Sequence, residues 1–277
     1  MSLRNHAVSG QFYHFSRPST ERDIDGYFER AKKAGQGEIP QLKALVSPHA
    51  GYVYSGPTAA YSYLAIPRSF KGTFVLVGPN HTGLGTPLSL STADWDTPLG
   101  TAKCDRELAD AVLKASPYIS ADESAHQSEH SIEVQLPFLQ RRFGASGEIK
   151  FIAICMGDSG FEAAGELARA VGEAAGRLKR DVVFIASSDF THYEPAESAK
   201  RKDGEAIELI KKLDGAGFNR LVTGKSLSIC GYGPITAAIE YAKARGAKEA
   251  RLLNYSNSGA ATGERGPVVA YASLAFV

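Results

Sequence analysis

Two histidines of this 277-residue chain stand in matched settings. Ser47-Pro48-His49-Ala50-Gly51-Tyr52 and Gly78-Pro79-Asn80-His81-Thr82-Gly83 each follow a short apolar run. A third run leads into Ser187-Ser188-Asp189-Phe190-Thr191-His192-Tyr193. Imidazole binds metals and transfers protons near neutrality, so these are the residue types a catalytic or metal pocket needs. The Asp189-x-x-His192 spacing lets a carboxylate orient an imidazole, as a general base or metal ligand requires, though a helix N-cap gives the same pattern. One histidine beside Gly and Pro is ordinarily a turn or capping residue. Three such placements after three runs predict one shared, metal-competent pocket.

His126 and His130 are four apart, which on a helix puts both on one face, yet the Glu that follows the first His of a zincin motif is missing. For His126 a structural role is as good a reading as any other. His130, with Glu129 and Glu133, forms either a satisfied buried network or part of the pocket wall, because three ionisable groups are costly to bury unpaired. Cys104 and Cys155 read as small core hydrophobes. Cys230 sits in Ser228-Ile229-Cys230-Gly231-Tyr232-Gly233-Pro234, just before a predicted helix. That position predicts a lowered thiol pKa and makes Cys230 a candidate ligand or nucleophile. Phosphate-binding glycine loops are absent.

These residues need strands to deliver them. Runs at 42–47, 73–78, 149–155, 181–187, 251–256 and 268–276 are short, rich in β-branched or aromatic residues and nearly continuously apolar, which predicts strands buried on both faces. Helical patterns lie at 161–178, 203–213 and 234–245, the last with Pro234 in its first turn. The alternation predicts an α/β fold: a single-domain sandwich over residues 1–277 with a central, mostly parallel sheet flanked by helices, and an antiparallel edge at 85–91. In such sheets ligands bind beyond the carboxyl ends of the strands, where His49, His81 and the Asp189/His192 pair would converge.

Bulk composition narrows the function. With 31 basic and 30 acidic residues the net charge is +1, which provides no global field for nucleic acid or an anionic membrane. Three widely spaced cysteines are no disulfide framework. No run approaches the roughly 20 apolar residues of a membrane span, and the first residues lack the apolar core of a signal peptide. A cytoplasmic protein is expected.

Taken together, Pro48-His49-Ala50-Gly51-Tyr52, Gly78-Pro79-Asn80-His81, Glu129-His130-Ser131-Ile132-Glu133, Ser187-Ser188-Asp189-Phe190, Ile229-Cys230-Gly231 and Leu253-Asn254-Tyr255 resemble the MEMO family, in order and over essentially the whole chain. The resemblance implies a fold like that of class III extradiol dioxygenases, which hold non-haem Fe(II) with two His and one Glu. It implies His49 and His81 as metal ligands, His192 as the acid–base residue and Asp189 beside it in the pocket. Cys230 falls where those dioxygenases supply Glu. A His₂-thiolate set is softer than a facial triad and favours copper or zinc, with iron still in range. A metal-dependent oxidoreductase acting on a small substrate is therefore one expectation. The other is a non-catalytic module that takes a peptide or partner in the same cleft. Phe12, Tyr54 and His130 would contact the small molecule or peptide; Phe12 stands where eukaryotic members have Trp. Prokaryotic members are often encoded with AMMECR-type and radical-SAM proteins, which makes those the implied partners.

Overall fold

The computed structural model describes residues 2–144, 149–264 and 266–277. In chain order its elements are β1 (Leu3–Arg4), α1 (Arg17–Lys33), β2 (Ala44–Ser47), α2 (Tyr52–Ala65), β3 (Thr73–Pro79), β4 (Leu88–Ser91), β5 (Asp94–Trp95), β6 (Lys103–Cys104), α3 (Arg106–Ala115), β7 (Ser120–Ala121) and α4 (Leu136–Phe143). There follow β8 (Lys150–Met156), α5 (Phe161–Arg177), β9 (Val182–Ser187), β10 (His192–Pro195), α6 (Ala196–Lys211), α7 (Gly215–Gly224), α8 (Tyr232–Ala244), β11 (Ala250–Asn257), α9 (Gly259–Thr262) and β12 (Pro267–Phe276).

Continuous apolarity in the central runs is explained by burial on both sides. Ala44 and Val46 of β2, Val75 and Val77 of β3, and Ile152 and Ile154 of β8 pack into one core with α3, α5, α7 and α8. Their alternate neighbours Leu45, Leu76 and Ala153 enter a second core with α1, α2 and α4. Successive strand residues point to opposite faces, so only strands apolar throughout can serve a sheet covered on both sides. The expected α/β sandwich is present, with a central sheet flanked by helices.

The sheet order is β10-β12-β2-β9-β3-β8-β4-β7, with β11 added on β12 and β6 on β8. Its inner four strands, β2, β9, β3 and β8, run parallel. The antiparallel element expected at 85–91 is β4, paired with β8. The C-terminal runs form a β11–β12 antiparallel hairpin, and β12 joins the sheet antiparallel to β2. The predicted helix at 161–178 is α5 and that at 234–245 is α8. The pattern at 203–213 is the second half of the longer α6, which ends before Leu213 at φ +57°; Asp214 then caps α7 by accepting from Gly217 N. Among the described residues no helix is long and apolar enough to cross a membrane.

Candidate metal centre

Parallel strands end together, and that shared edge builds the site. β2 ends at Ser47 and delivers His49; β3 ends at Pro79 and delivers His81; β9 ends at Ser187 and delivers Asp189 and His192. All four line one cavity of about 620 Å³, together with Phe12, Tyr54 and His130. Two glycines let further segments close on this edge. A Cβ at Gly78 would come within 2.4 Å of Ser131 Oγ, so its absence admits the segment carrying Glu129 and His130. A Cβ at Gly231 would come within 2.3 Å of Ser187 O, so only Gly lets the Cys230 turn press onto the end of β9.

Three imidazoles meet there. The His49 and His81 rings are 5.2 Å apart, His81 and His130 stack at 4.6 Å, and His49 and His130 are 5.3 Å apart. Each offers a nitrogen, and these nitrogens all lie within 4.8 Å of one another. The Cys230 Sγ is 3.2 Å from His49 Nε2. The Phe12 ring packs on His130 at 4.5 Å, and Tyr54 stands 41% exposed at the cavity wall.

Outer contacts set the tautomers. Ser187 Oγ donates to Ser131 O at 2.6 Å and accepts from Gln135 Nε2 at 2.7 Å. Its hydrogen is therefore committed, and His49 Nδ1 at 2.8 Å must be the donor to it. Tyr63 OH donates to Gln135 Oε1, which holds that amide with its nitrogen toward Ser187. His81 Nδ1 donates to Glu129 Oε1 at 2.9 Å, and His192 Nδ1 donates to Ser228 O at 2.8 Å. In each ring Nδ1–H is engaged, so in the neutral tautomer Nε2 is the free nitrogen, the form in which imidazole ligates a metal or accepts a proton.

Electrostatics reinforce the neutral form. Burial, helped by the neighbouring rings of His130, His81 and His192, holds His49 well below its ordinary pKa. Burial likewise lowers His130 to about 4, against the raising effect of Glu129. For Glu129 burial pushes upward but is outweighed by the hydrogen bond and charge of His81 and by the Ser131 N–H, leaving it at about 2. Burial lifts Asp189 to about 6 against the backbone N–H of His49. His49, His81 and His130 thus present a cluster of imidazole nitrogens that could hold a metal ion.

Three expectations are corrected. Asp189 does not orient His192: its Oδ1 accepts from the backbone N of His49 at 2.8 Å, while the Ser228 carbonyl takes the His192 ring. The Cys230 thiol is pushed up rather than down, by burial first and then by the charge of Asp189, which together outweigh the nearby start of α8. His126 and His130 do not share a helix face, because their segment is turn and irregular backbone. His126 is fully buried against Trp95, with Nε2 on Ser89 O at 3.0 Å. The two carboxylates divide the readings offered for them: Glu129 serves the site and Glu133 a structural network. Glu129, Ser187 and Gln135 as orienting groups were missed; for the latter pair no spacing signal exists, since their partners are distant in sequence.

Comparison with known proteins agrees with this architecture. The chain is 44% identical over 274 residues to a MEMO1 family protein of Methanosarcina barkeri, covering 98% of this chain and 99% of that one. It is 42% identical over 282 residues to a MEMO1 family protein of Methanopyrus kandleri, covering 99% and 98%. An uncharacterized protein of Escherichia coli K12 with a known crystal structure shares the fold at a TM-score of 0.55 and 15% identity, over 85% of this chain and all of that one. The family model described as Memo-like protein matches residues 4–275, and on that match and those identities the chain belongs to the Memo-like protein family.

Proposed function

We propose that this chain binds one transition-metal ion, copper or iron, through His49, His81 and Cys230, with zinc compatible with the same donors. The observation that carries the reading is the preset tautomer: His49 and His81 each have Nδ1–H tied to a buried acceptor, which leaves Nε2 for an ion. Cys230 supports it as third donor because its Sγ already lies at the bare nitrogen of His49. Two imidazoles and a thiolate suit copper by softness and leave iron in range.

A redox-active ion would supply electron transfer at the cavity floor, and a metal-dependent oxidoreductase of a small organic molecule is the activity this supports. The chain's own residues provide the rest. His192, held by Ser228, offers a bare Nε2 to accept a proton. Asp189 fixes the backbone of His49, and Phe12 and Tyr54 supply walls for the ligand. All three cysteines are free thiols, in keeping with a cytoplasmic setting. Tyr193, 77% exposed beside His192 and strained at φ +58°, favours a second reading in which a peptide or a partner such as an AMMECR-type or radical-SAM protein covers the mouth.

Anaerobic titration with Cu(I) or Fe(II) tests the first reading. The wild type should take up one ion per chain, and His49→Ala and His81→Ala should each lose more affinity than the roughly 10- to 100-fold that outer-shell changes cost. Uptake indifferent to both substitutions would remove it.

A further inference from the structure

A second cavity of about 580 Å³ lies alongside α2, next to the metal pocket. Tyr54 lines both, and so does α9, with Thr262 on the metal side and Ala260 and Ala261 on the other. The two are neighbouring compartments divided by one tyrosine and one short helix.

The second cavity has fixed flat walls. The Tyr27 ring lies on Gly56 so closely that a Cβ there would come within 2.5 Å of it, which makes the ring a rigid platform rather than a rotating surface group. Tyr61 and Pro57 continue that wall, and Val53 stands 62% exposed at its rim. One edge is polar. Thr58 Oγ1 donates to Asn254 Oδ1 at 2.9 Å, which fixes the amide; its two N–H donors have no partner among the described residues.

Among the described residues its single full charge is Arg30. The guanidinium lies 5.0 Å from the Tyr27 ring centre and forms no ion pair among the described residues, whereas Lys32, two residues on, is paired with Glu29. One planar guanidinium matches one carboxylate by a two-point fork, while a doubly charged phosphate would call for further cations, and the described residues of these walls supply none. We propose that this cavity is a second ligand subsite, contiguous with the metal pocket across Tyr54, for a flat apolar arm that ends in a carboxylate. Apart from the shared Tyr54 it does not depend on the metal reading.

3-Phenylpropionate and its uncharged amide are suitable probes, titrated into the full chain with ¹³C-labelled tyrosines and followed by NMR. The acid should bind saturably with a Kd on the order of 1 mM, as expected of so small a ligand, and shift the Tyr27 and Tyr61 signals. The amide on the wild type, and the acid on Arg30→Met, should each bind about tenfold more weakly. Among the described residues the Arg30 side chain makes no hydrogen bond, so this variant should keep its fold, and an unchanged Tm checks that. Tyr61→Ala should weaken both probes alike, while His81→Ala should bind the acid as the wild type does. Equal affinity for acid and amide, an indifferent Arg30→Met, or no saturable shift would overturn the subsite. Acid binding lost in His81→Ala but kept in Arg30→Met would place the probe in the metal pocket, overturning the subsite and leaving the metal reading intact.

Discussion

Glu129 holds His81 at two points. Its Oε2 accepts the backbone N–H of His81 at 2.6 Å, and its Oε1 accepts the ring Nδ1–H at 2.9 Å. One buried carboxylate thereby sets both the loop that presents the imidazole and the rotation of the ring. Ser131 N donates to the same Oε1 at 2.9 Å, so the clamp is itself held in place.

Removing the charge while keeping the shape should expose that dependence. Glu129→Gln retains an acceptor for one of the two His81 donors and turns an N–H donor toward the other. Metal affinity should fall about 10- to 100-fold with stoichiometry unchanged. Competition titration against a chelator measures it; affinity equal to wild type would show that the clamp does not tune the ligand.

The third donor can be read from protons and from spectra. In the metal-free fold the Cys230 thiol is protonated, because burial raises its pKa. Ligation requires the thiolate, so metal uptake near neutral pH should release about one proton per ion. Cys230→Ser should abolish that release and remove the sulfur-to-metal charge-transfer band of the Co(II)-loaded protein, while His130→Ala should leave both in place. The reverse pattern would make His130 the ligand, completing the His49–His81–His130 cluster.

Glu133 anchors the N-terminal segment that carries Phe12 to the site. Its carboxylate accepts from Arg4 Nη1 at 2.6 Å, Ala7 N at 2.7 Å, Val8 N at 3.0 Å and Tyr13 OH at 2.7 Å, and it is fully buried. Glu133→Ala leaves the buried Arg4 guanidinium without its counter-ion and should destabilise the fold by about 3 kcal/mol or more. Urea unfolding reports the loss, and a cost below about 1 kcal/mol would mean that water replaces the carboxylate.

Acid sensitivity should reside in part in His126. Unfolded, its imidazole titrates near 6.5; folded, burial lowers it to about 4, only partly opposed by Glu123 and by the Ser89 carbonyl. Its Nδ1 is buried with no partner, so the fold has nothing ready to accept a second N–H there. Between those two values the unfolded chain binds the proton and the folded chain does not. Stability is therefore fully present above about 6.5 and falls as the pH drops toward 4, by up to about 3 kcal/mol from this residue. The metal-free His126→Gln variant should show a flatter stability–pH curve than wild type across that window, measured by urea unfolding at several pH values. Parallel curves would exclude His126 as a source.

Much of this molecule is determined by its local sequence. Strands apolar on both faces, such as Thr73–Pro79, can exist only inside a sheet covered on both sides, so the α/β sandwich follows from periodicity. Parallel strands place their carboxyl ends along one edge, so His49, His81, Asp189 and His192 had to converge there. Tertiary structure alone decided what each group does once it arrived. Glu129 and Glu133 have the same side chain four residues apart, yet one clamps His81 and the other ties down Arg4 and Tyr13. Cys230 precedes a helix, which locally favours a thiolate, but desolvation and the charge of Asp189 reverse the sign. His49 owes its tautomer to Ser187, 138 residues away along the chain, and to Gln135, 52 residues from Ser187. Hydrogen bonding and desolvation depend on distance in space, and a chain records only distance along itself.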